Sequence, residues 1–233
     1  MTINHNSFWL SVSDLMAGLM IVFMFIAIAY MFEMKDIVNG VIYITEGFQD
    51  TEQSLYHELQ KEFEDDLEEW NAYIDAKALS IIFKEPDVLF EKGKYNIKKR
   101  FKLILNDFFP RYLTVLNSEQ FQSKILSVRI EGHTSSEWSK NTVERKTYLN
   151  NMSLSQVRAS EVLQYVLATN LNGSYKWIRD RLVAVGYSSS KLKYESNGKE
   201  DKILSRRVEF KVVTNAQEQL YELVSLVSNG GKI

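Results

Sequence analysis

A single charged side chain, Asp14, lies inside a long apolar stretch near the N-terminus. Residues 8–32 read FWLSVSDLMAGLMIVFMFIAIAYMF, which places Asp14 about two helical turns into the run. A carboxylate at that depth in a bilayer costs on the order of 2.5–3.5 kcal/mol on insertion scales. It is either a hydrated helix cap helped by nearby serines, or a carrier that takes up and releases a cation between two aqueous half-pathways lined by a partner. The small residues Ala17 and Gly18 would let a partner helix approach closely, which favours the carrier.

The same run is long enough to cross a bilayer. Its 25 residues would form a helix of about 37 Å, against roughly 30 Å for the hydrocarbon core. A cleaved signal peptide fits less well, because no Lys or Arg precedes the run and because the run exceeds the usual apolar region of about 7–15 residues. We therefore expect a short tail at residues 1–7 and an uncleaved transmembrane helix at residues 8–32.

The composition argues against several kinds of function. The formal charge of −2 argues against bulk nucleic-acid binding, and the absence of cysteine excludes disulfides and thiol chemistry. The three histidines lie in different segments, so we predict no metal site and interpret His133 as a structural residue at a strand end. Since the sequence also has no phosphate-binding glycine loop, we expect neither an enzyme nor a bound cofactor.

Residues 33–78 are predicted to be a helical connector. Apolar residues recur every three or four positions from Ile37 to Ile74, opposite a strongly acidic face. Such a seam needs a partner. For the first two thirds of the connector we favour a second copy of the chain in a homodimeric coiled coil. For the last third, packing against the chain's own domain is an equally open interpretation.

Residues 79–233 are predicted to form one α+β domain. The order of elements is βαβαββ, with helices over one face of a sheet and a final helix after the last strand. The predicted strands are residues 79–83, 125–131, 182–185 and 207–213; the predicted helices are residues 96–116, 153 or 155 to 168, and 216–227.

Short motifs in this region resemble those of OmpA-like peptidoglycan-binding domains. They occur in the order and approximate spacing of that family, and the resemblance covers residues 79–213. The motifs are DVLFEKG (87–93), IEGHT (130–134), NMSLSQVRA (151–159), VGY (185–187) and SRRVEF (205–210). Residues 12–20, VSDLMAGLM, resemble the transmembrane helix of MotB-like stator subunits. Within that group, the short tail and the Ser-Asp-Leu-Met start are most similar to the MotB-like subunits of Zorya anti-phage defence systems.

The resemblance implies roles for particular residues. Asp14 matches the ion-carrying carboxylate of the stator helix. Asn151, Leu154 and Arg158 match the stretch that lines the wall-binding groove, where the Arg meets a carboxylate of the peptide stem. The family usually has Asp after Gly-His-Thr, in contact with the stem's ammonium group, but this chain has Ser135.

Two site questions stay open at this stage. Either Glu137 substitutes for the missing carboxylate, or wall binding is weakened or altered. Arg206 and Arg207, at the start of the last strand, support either the groove or the edge of the sheet.

The resemblance also implies an assembly. Two copies would place their first helices inside a ring of multi-span MotA-like (ZorA-like) subunits in the bacterial inner membrane. The N-terminus would be cytoplasmic, and the C-terminal domain would be periplasmic and bound to peptidoglycan. Ion flow, most simply of protons, would turn the ring. A flagellar-type stator subunit is an alternative that expects a longer basic tail, and a passive membrane-to-wall tether is another.

Overall fold

The computed structural model describes residues 5–84, 89–91, 93–139, 142–169 and 173–215. The described residues fall into two units. One contains the first helix as far as Phe48, and the other begins at Gln49.

The first helix, α1, runs from His5 to Phe63. Among the described residues, its segment Val12–Gly40 is the one long and apolar enough to cross a membrane, with a mean hydropathy of 2.5. Large apolar side chains are exposed around this segment, and Asp14 is exposed among them. A helix that is apolar on all sides is typical of a membrane span. Gly18 leaves open space beside the helix.

Five strands form one mixed sheet in the second unit. They are β1 (Ala72–Asp75), β2 (Ser80–Lys84), β3 (Ile125–His133), β4 (Leu182–Gly186) and β5 (Arg207–Thr214). Their order across the sheet is β1-β2-β5-β3-β4, and only the β3–β4 pair is parallel. The helices whose bounds the structure describes in this unit are α2 (Lys99–Leu116), α3 (Glu144–Leu167), α4 (Tyr175–Arg179) and α5 (Lys202–Ser205). A parallel pair needs a long crossover connection, which α3 supplies here.

The alternation of residues along β5 explains the two faces of the sheet. Val208, Phe210 and Val212 are buried in the hydrophobic core, where the ring of Phe210 lies 4.9 Å from that of Phe108 in α2. Glu209, one position away, lies on the opposite face because successive side chains of a strand point to opposite sides. Helices α2 and α3 thus cover one face of the sheet, and the predicted α+β architecture is confirmed.

The end of α1 belongs to the core of this domain. Leu55, Leu59 and Phe63 are fully buried, and the ring of Phe63 lies 5.2 Å from that of Phe108. Their spacing of four residues puts them on one face of the helix. The last part of the predicted connector therefore packs against the chain's own domain, as one of the two interpretations expected.

Several predicted boundaries differ from the structure. The helical pattern of the connector does not continue to Ile74: α1 ends at Phe63, a turn follows, and residues 72–75 form strand β1. Asn71, just before β1, has a φ of 51°, a conformation that ends regular structure. Helix α3 begins at Glu144, nine residues before residue 153, the first of the two predicted starts. The remaining strands and α2 lie within a few residues of their predicted bounds. The final helix, predicted at residues 216–227, lies outside the described residues.

Candidate functional site

Two glycines bring α3 against the sheet. A Cβ atom on Gly132 of β3 would lie 2.4 Å from the backbone oxygen of Ser155, and one on Gly186 of β4 would lie 2.5 Å from the backbone nitrogen of Gln156. Neither space admits a side chain, so the backbone of α3 rests on these two strands. The Gln156 side chain strengthens the contact, since its Oε1 accepts a hydrogen bond of 2.8 Å from Gly186 N.

This docking places the N-terminal half of α3 beside the chain segment that follows β3. We call residues 134–139 the groove loop. A cavity of about 450 Å³ lies between the groove loop and α3, and we call it the groove. Its lining residues are Gly93, Thr134, Ser135, Glu137, Trp138, Ser139, Asn151, Leu154, Arg158 and Arg206. All four residues predicted for wall binding (Ser135, Asn151, Leu154 and Arg158) are among them.

Asn151 holds the groove loop in place. It is 2% exposed, and its Nδ2 donates to the backbone oxygens of Ser135 and Glu137, both at 3.2 Å. Both of these contacts go to the chain's own backbone. Asn151 therefore acts first by positioning the loop on which Ser135 lies.

The groove loop is also held from the opposite side, by the segment before α5 and by α5 itself. The carboxylate of Glu200 accepts hydrogen bonds from the backbone N of Ser136, at 2.9 Å, and from its hydroxyl group. Lys202 of α5 forms an ion pair with Glu137. Glu137 lies beside Ser135, as a substitute for the missing carboxylate would require, but its charge is already countered by Lys202.

Two arginines line the groove. Arg158 is 6% exposed; its Nε donates to the oxygen of Lys94 at 2.9 Å, and its guanidinium lies 4.9 Å from the centre of the Phe90 ring. Arg206 enters the groove from the turn between α5 and β5. Its Nε is buried and has no hydrogen-bond partner among the described residues, and the same holds for the hydroxyl of Thr134. The sequence left Arg206 open as a groove residue and did not single out Thr134, because the IEGHT and SRRVEF motifs lie far apart in the chain.

Arg207 does not face the groove. It is 3% exposed and lies on the face of the sheet opposite α2 and α3, where its Nε donates to Glu209 Oε1 at 2.5 Å. Its Nη1 donates to backbone oxygens of Lys191 and Ser205, both at 3.1 Å. The two alternatives left open for the arginine pair are thus divided between its members: Arg206 lines the groove and Arg207 supports the sheet.

His133 lies within this buried cluster of charges. Its Nε2 is 3.6 Å from Glu131 Oε2 and 3.5 Å from Glu209 Oε1, and its ring stacks on Tyr187 at 5.1 Å. Burial lowers the pKa of His133 below its ordinary value, more than the neighbouring Glu131 carboxylate raises it, so the imidazole is neutral at neutral pH. Burial raises the pKa of Glu131, but His133 and Lys191 together lower it by more than burial raises it, so the net shift is downward.

Ligand atoms that lie within 4.8 Å of one another, a separation compatible with a metal ion, are offered by Glu131, His133 and Glu209. Two cations of the chain already serve the carboxylates, since Arg207 contacts Glu209 and Lys191 Nζ lies 4.0 Å from Glu131 Oε2. The arrangement fits a structural role for His133.

Comparison with known proteins identifies the family. Residues 89–207 match the model of the OmpA family. Over 94% of its length the chain is 47% identical to Zorya protein ZorB of Escherichia coli strain Crooks, and the match covers 93% of that protein. The chain belongs to the ZorB family. The predicted resemblance to Zorya MotB-like subunits with an OmpA-like domain is confirmed, and ZorB membership assigns the chain a structural rather than an enzymatic role.

Two solved structures are also similar to the chain. A putative MotB-like protein from Desulfovibrio vulgaris is 20% identical, covers 70% of this chain and 91% of its own, and has a TM-score of 0.48. The cell wall anchor of the type VI secretion system (T6SS) from Pseudomonas aeruginosa is 22% identical, covers 67% of this chain and 96% of its own, and has a TM-score of 0.45.

Proposed function

We propose that this chain is the ion-carrying, wall-anchored subunit of a rotary motor in the bacterial inner membrane that acts in anti-phage defence. The observation that carries the proposal is Asp14, the one charged side chain in residues 8–32. It lies on a helix whose apolar surface is exposed in the single chain. Because a carboxylate in hydrocarbon is costly, a partner that shields it and exchanges its cation gives the residue a function.

In the proposed assembly, two copies of the chain place their α1 helices inside a ring of MotA-like membrane subunits. The N-terminus is cytoplasmic and the domain that begins at Gln49 is periplasmic. Protons that descend the gradient bind Asp14 and leave it in turn, and each charge that crosses 100 mV supplies about 2.3 kcal/mol. The open space beside Gly18 suits close packing of a ring helix.

The groove would supply the fixed point of the motor. A subunit that turned with the ring would deliver no torque, so the pair has to be held by the cell wall. The groove suits a peptide with an acidic group: two guanidiniums line it, and its loop is fixed on both sides. We infer that peptidoglycan stem peptides bind there.

Asp14→Asn tests the proposed motor function in cells, because the substitution keeps the size of the side chain and removes its ionisation. In cells that carry the complete system, we expect Asp14→Asn to abolish protection against phage at an unchanged membrane level of the protein, and Asp14→Glu to retain part of it. Full protection with Asp14→Asn would favour a passive tether. If the unaltered chain restored motility to cells that lack flagellar stator subunits, the flagellar alternative would be favoured instead.

Sedimentation with purified sacculi tests the anchor. We expect the full chain in detergent to co-sediment with sacculi, and Arg158→Ala to lose most of that binding. Arg179→Ala is the matched control, since Arg179 is exposed on α4 and pairs with its neighbour Asp180. Equal sedimentation of Arg158→Ala and the unaltered chain would contradict binding in the groove.

A further inference from the structure

The charges that line the groove are unbalanced toward the positive. Among the described lining residues, Arg158 and Arg206 contribute two guanidiniums and Glu137 is the one carboxylate. The ammonium of Lys202 already pairs with Glu137. In this described part of the lining, a ligand with a positive charge would therefore meet no uncompensated carboxylate, whereas a ligand with a negative charge would meet two cations.

Two buried side-chain polar atoms of the lining have no hydrogen-bond partner among the described residues, and both come from outside α3. They are Nε of Arg206, a donor, and the hydroxyl of Thr134. Buried polar groups are nearly always hydrogen-bonded, and each exception calls for an explanation such as a missing ligand. A carboxylate suits the chemistry of both atoms, because its oxygens accept hydrogen bonds from a guanidinium and from a hydroxyl group.

The backbone beneath Arg206 is fixed, which is a requirement for a binding residue. Its own N–H donates to the oxygen of Lys202 at 3.3 Å. The next residue, Arg207, is anchored through its guanidinium to the backbone oxygen of Ser205 in this turn and to that of Lys191 in an earlier segment, both at 3.1 Å. The β5 register continues this order, with Arg207 opposite His133 of β3. Arg206 is thus presented to the groove by a rigid turn.

We propose that Arg206 and Thr134 form a carboxylate subsite in the groove, separate from Arg158, and that the groove selects a stem peptide by its carboxylates and not by a free ammonium group. This inference rests on the proposed wall-binding function. It assigns Arg206 as a specificity-determining residue. It also answers the question left open by Ser135: because Glu137 pairs with Lys202, the groove binds the carboxylate of the ligand and makes no contact with its ammonium group.

The test compares three fluorescent stem peptides that end in a diamino acid: one unmodified, one with its terminal carboxylate converted to an amide, and one with its side-chain ammonium acetylated. Affinities are measured by fluorescence anisotropy with the full chain in detergent. We expect the amide to bind at least about tenfold more weakly, as loss of a charge-assisted hydrogen bond predicts, and acetylation to change the affinity by less than about threefold.

Variants locate the effect. Arg206→Gln should reduce the preference for the free carboxylate to within about threefold, and Thr134→Val should reduce it partly; Arg179→Gln, with the same loss of charge on an exposed helix, should keep it. Thermal unfolding of each variant checks that the fold is retained. Full discrimination by a folded Arg206→Gln variant, or a tenfold loss of affinity on acetylation, would overturn the subsite.

Sacculus sedimentation separates the two proposals. Binding of sacculi that depends on Arg158 but not on Arg206, together with unchanged peptide discrimination in Arg206→Gln, would overturn the subsite and leave wall binding in place. Failure of the unaltered chain to bind either sacculi or peptides would overturn both.

Discussion

Replacing Arg207 by Met removes the cation that pairs with Glu209 on the face of the sheet opposite α2 and α3. Met keeps much of the apolar stem but deletes the 2.5 Å contact with Glu209 and the bonds to the turn before β5. Glu209, which is 6% exposed, would be left as an uncompensated buried charge near Glu131. Removal of one partner of a buried ion pair costs about 3–5 kcal/mol, and we expect a loss of this size at pH 8.

The loss should shrink as the pH falls, and His133 is the reason. Burial, with the charge of Arg207, keeps the pKa of His133 below its ordinary 6.5 in the folded chain. On acidification through 6.5 the unfolded chain takes up this proton and the folded chain does not, so the unaltered protein loses stability there. Without Arg207, the facing carboxylates raise the pKa of His133. The imidazolium then replaces part of the missing charge, and the variant loses less stability than the unaltered protein.

Urea unfolding of the full chain in a mild detergent, followed by tryptophan fluorescence, measures both effects. Trp70 reports on the domain because it is 6% exposed within the core. The control is Arg179→Met, an exposed position where the free energy of unfolding should change by less than about 0.5 kcal/mol. A loss below about 1 kcal/mol for Arg207→Met at pH 8, or a loss that grows on acidification to pH 5.5, would refute the reasoning.

Three further substitutions test the packing of the domain and of its groove. Gly132→Ala forces a Cβ to 2.4 Å from the Ser155 backbone oxygen; unfolding in urea should show a loss of at least about 1–3 kcal/mol, while Gly40→Ala, which meets open space, should be neutral or slightly stabilising. Asn151→Ala frees the groove loop, so sacculus binding should weaken and hydrogen exchange in the loop should rise; unchanged exchange would contradict its positioning role. Phe63→Ala should cost the domain about 3–5 kcal/mol in the same unfolding assay, whereas a connector outside the core would show no such loss.

The sequence predicted the sheet and the helices where periodicity was strong. Alternation in residues 207–213 and the three-to-four spacing of apolar residues in 96–116 correspond to β5 and α2. Strand β1 was missed because Ile74 lies four residues after Trp70, so it fitted the helical seam of the connector and was assigned to that helix. The first residues of α3, from Glu144, are largely polar, and its N-cap Val143 makes no side-chain cap, so no local signal marked the helix start.

The composition of the groove was predictable only in part. Motif matching located Asn151 and Arg158 because both lie on one continuous helical stretch. It did not show that the Asn151 amide serves the groove loop, since that depends on how residues 134–139 fold back on α3. Arg206 and Arg207 were indistinguishable in sequence. In the strand register, Arg207 lies opposite Lys84 and His133 and is therefore part of the sheet, whereas Arg206 lies just outside it.

Proton flux through the purified complex in liposomes tests the central claim most directly. The complex of this chain with its ring subunits is reconstituted, a pH gradient and membrane potential are imposed, and acidification of the lumen is followed with a pH-sensitive dye. We predict flux above that of empty liposomes for the unaltered complex, retained flux for Asp14→Glu, and background flux for Asp14→Asn at equal reconstitution. Flux through Asp14→Asn equal to that of the unaltered complex would contradict the account.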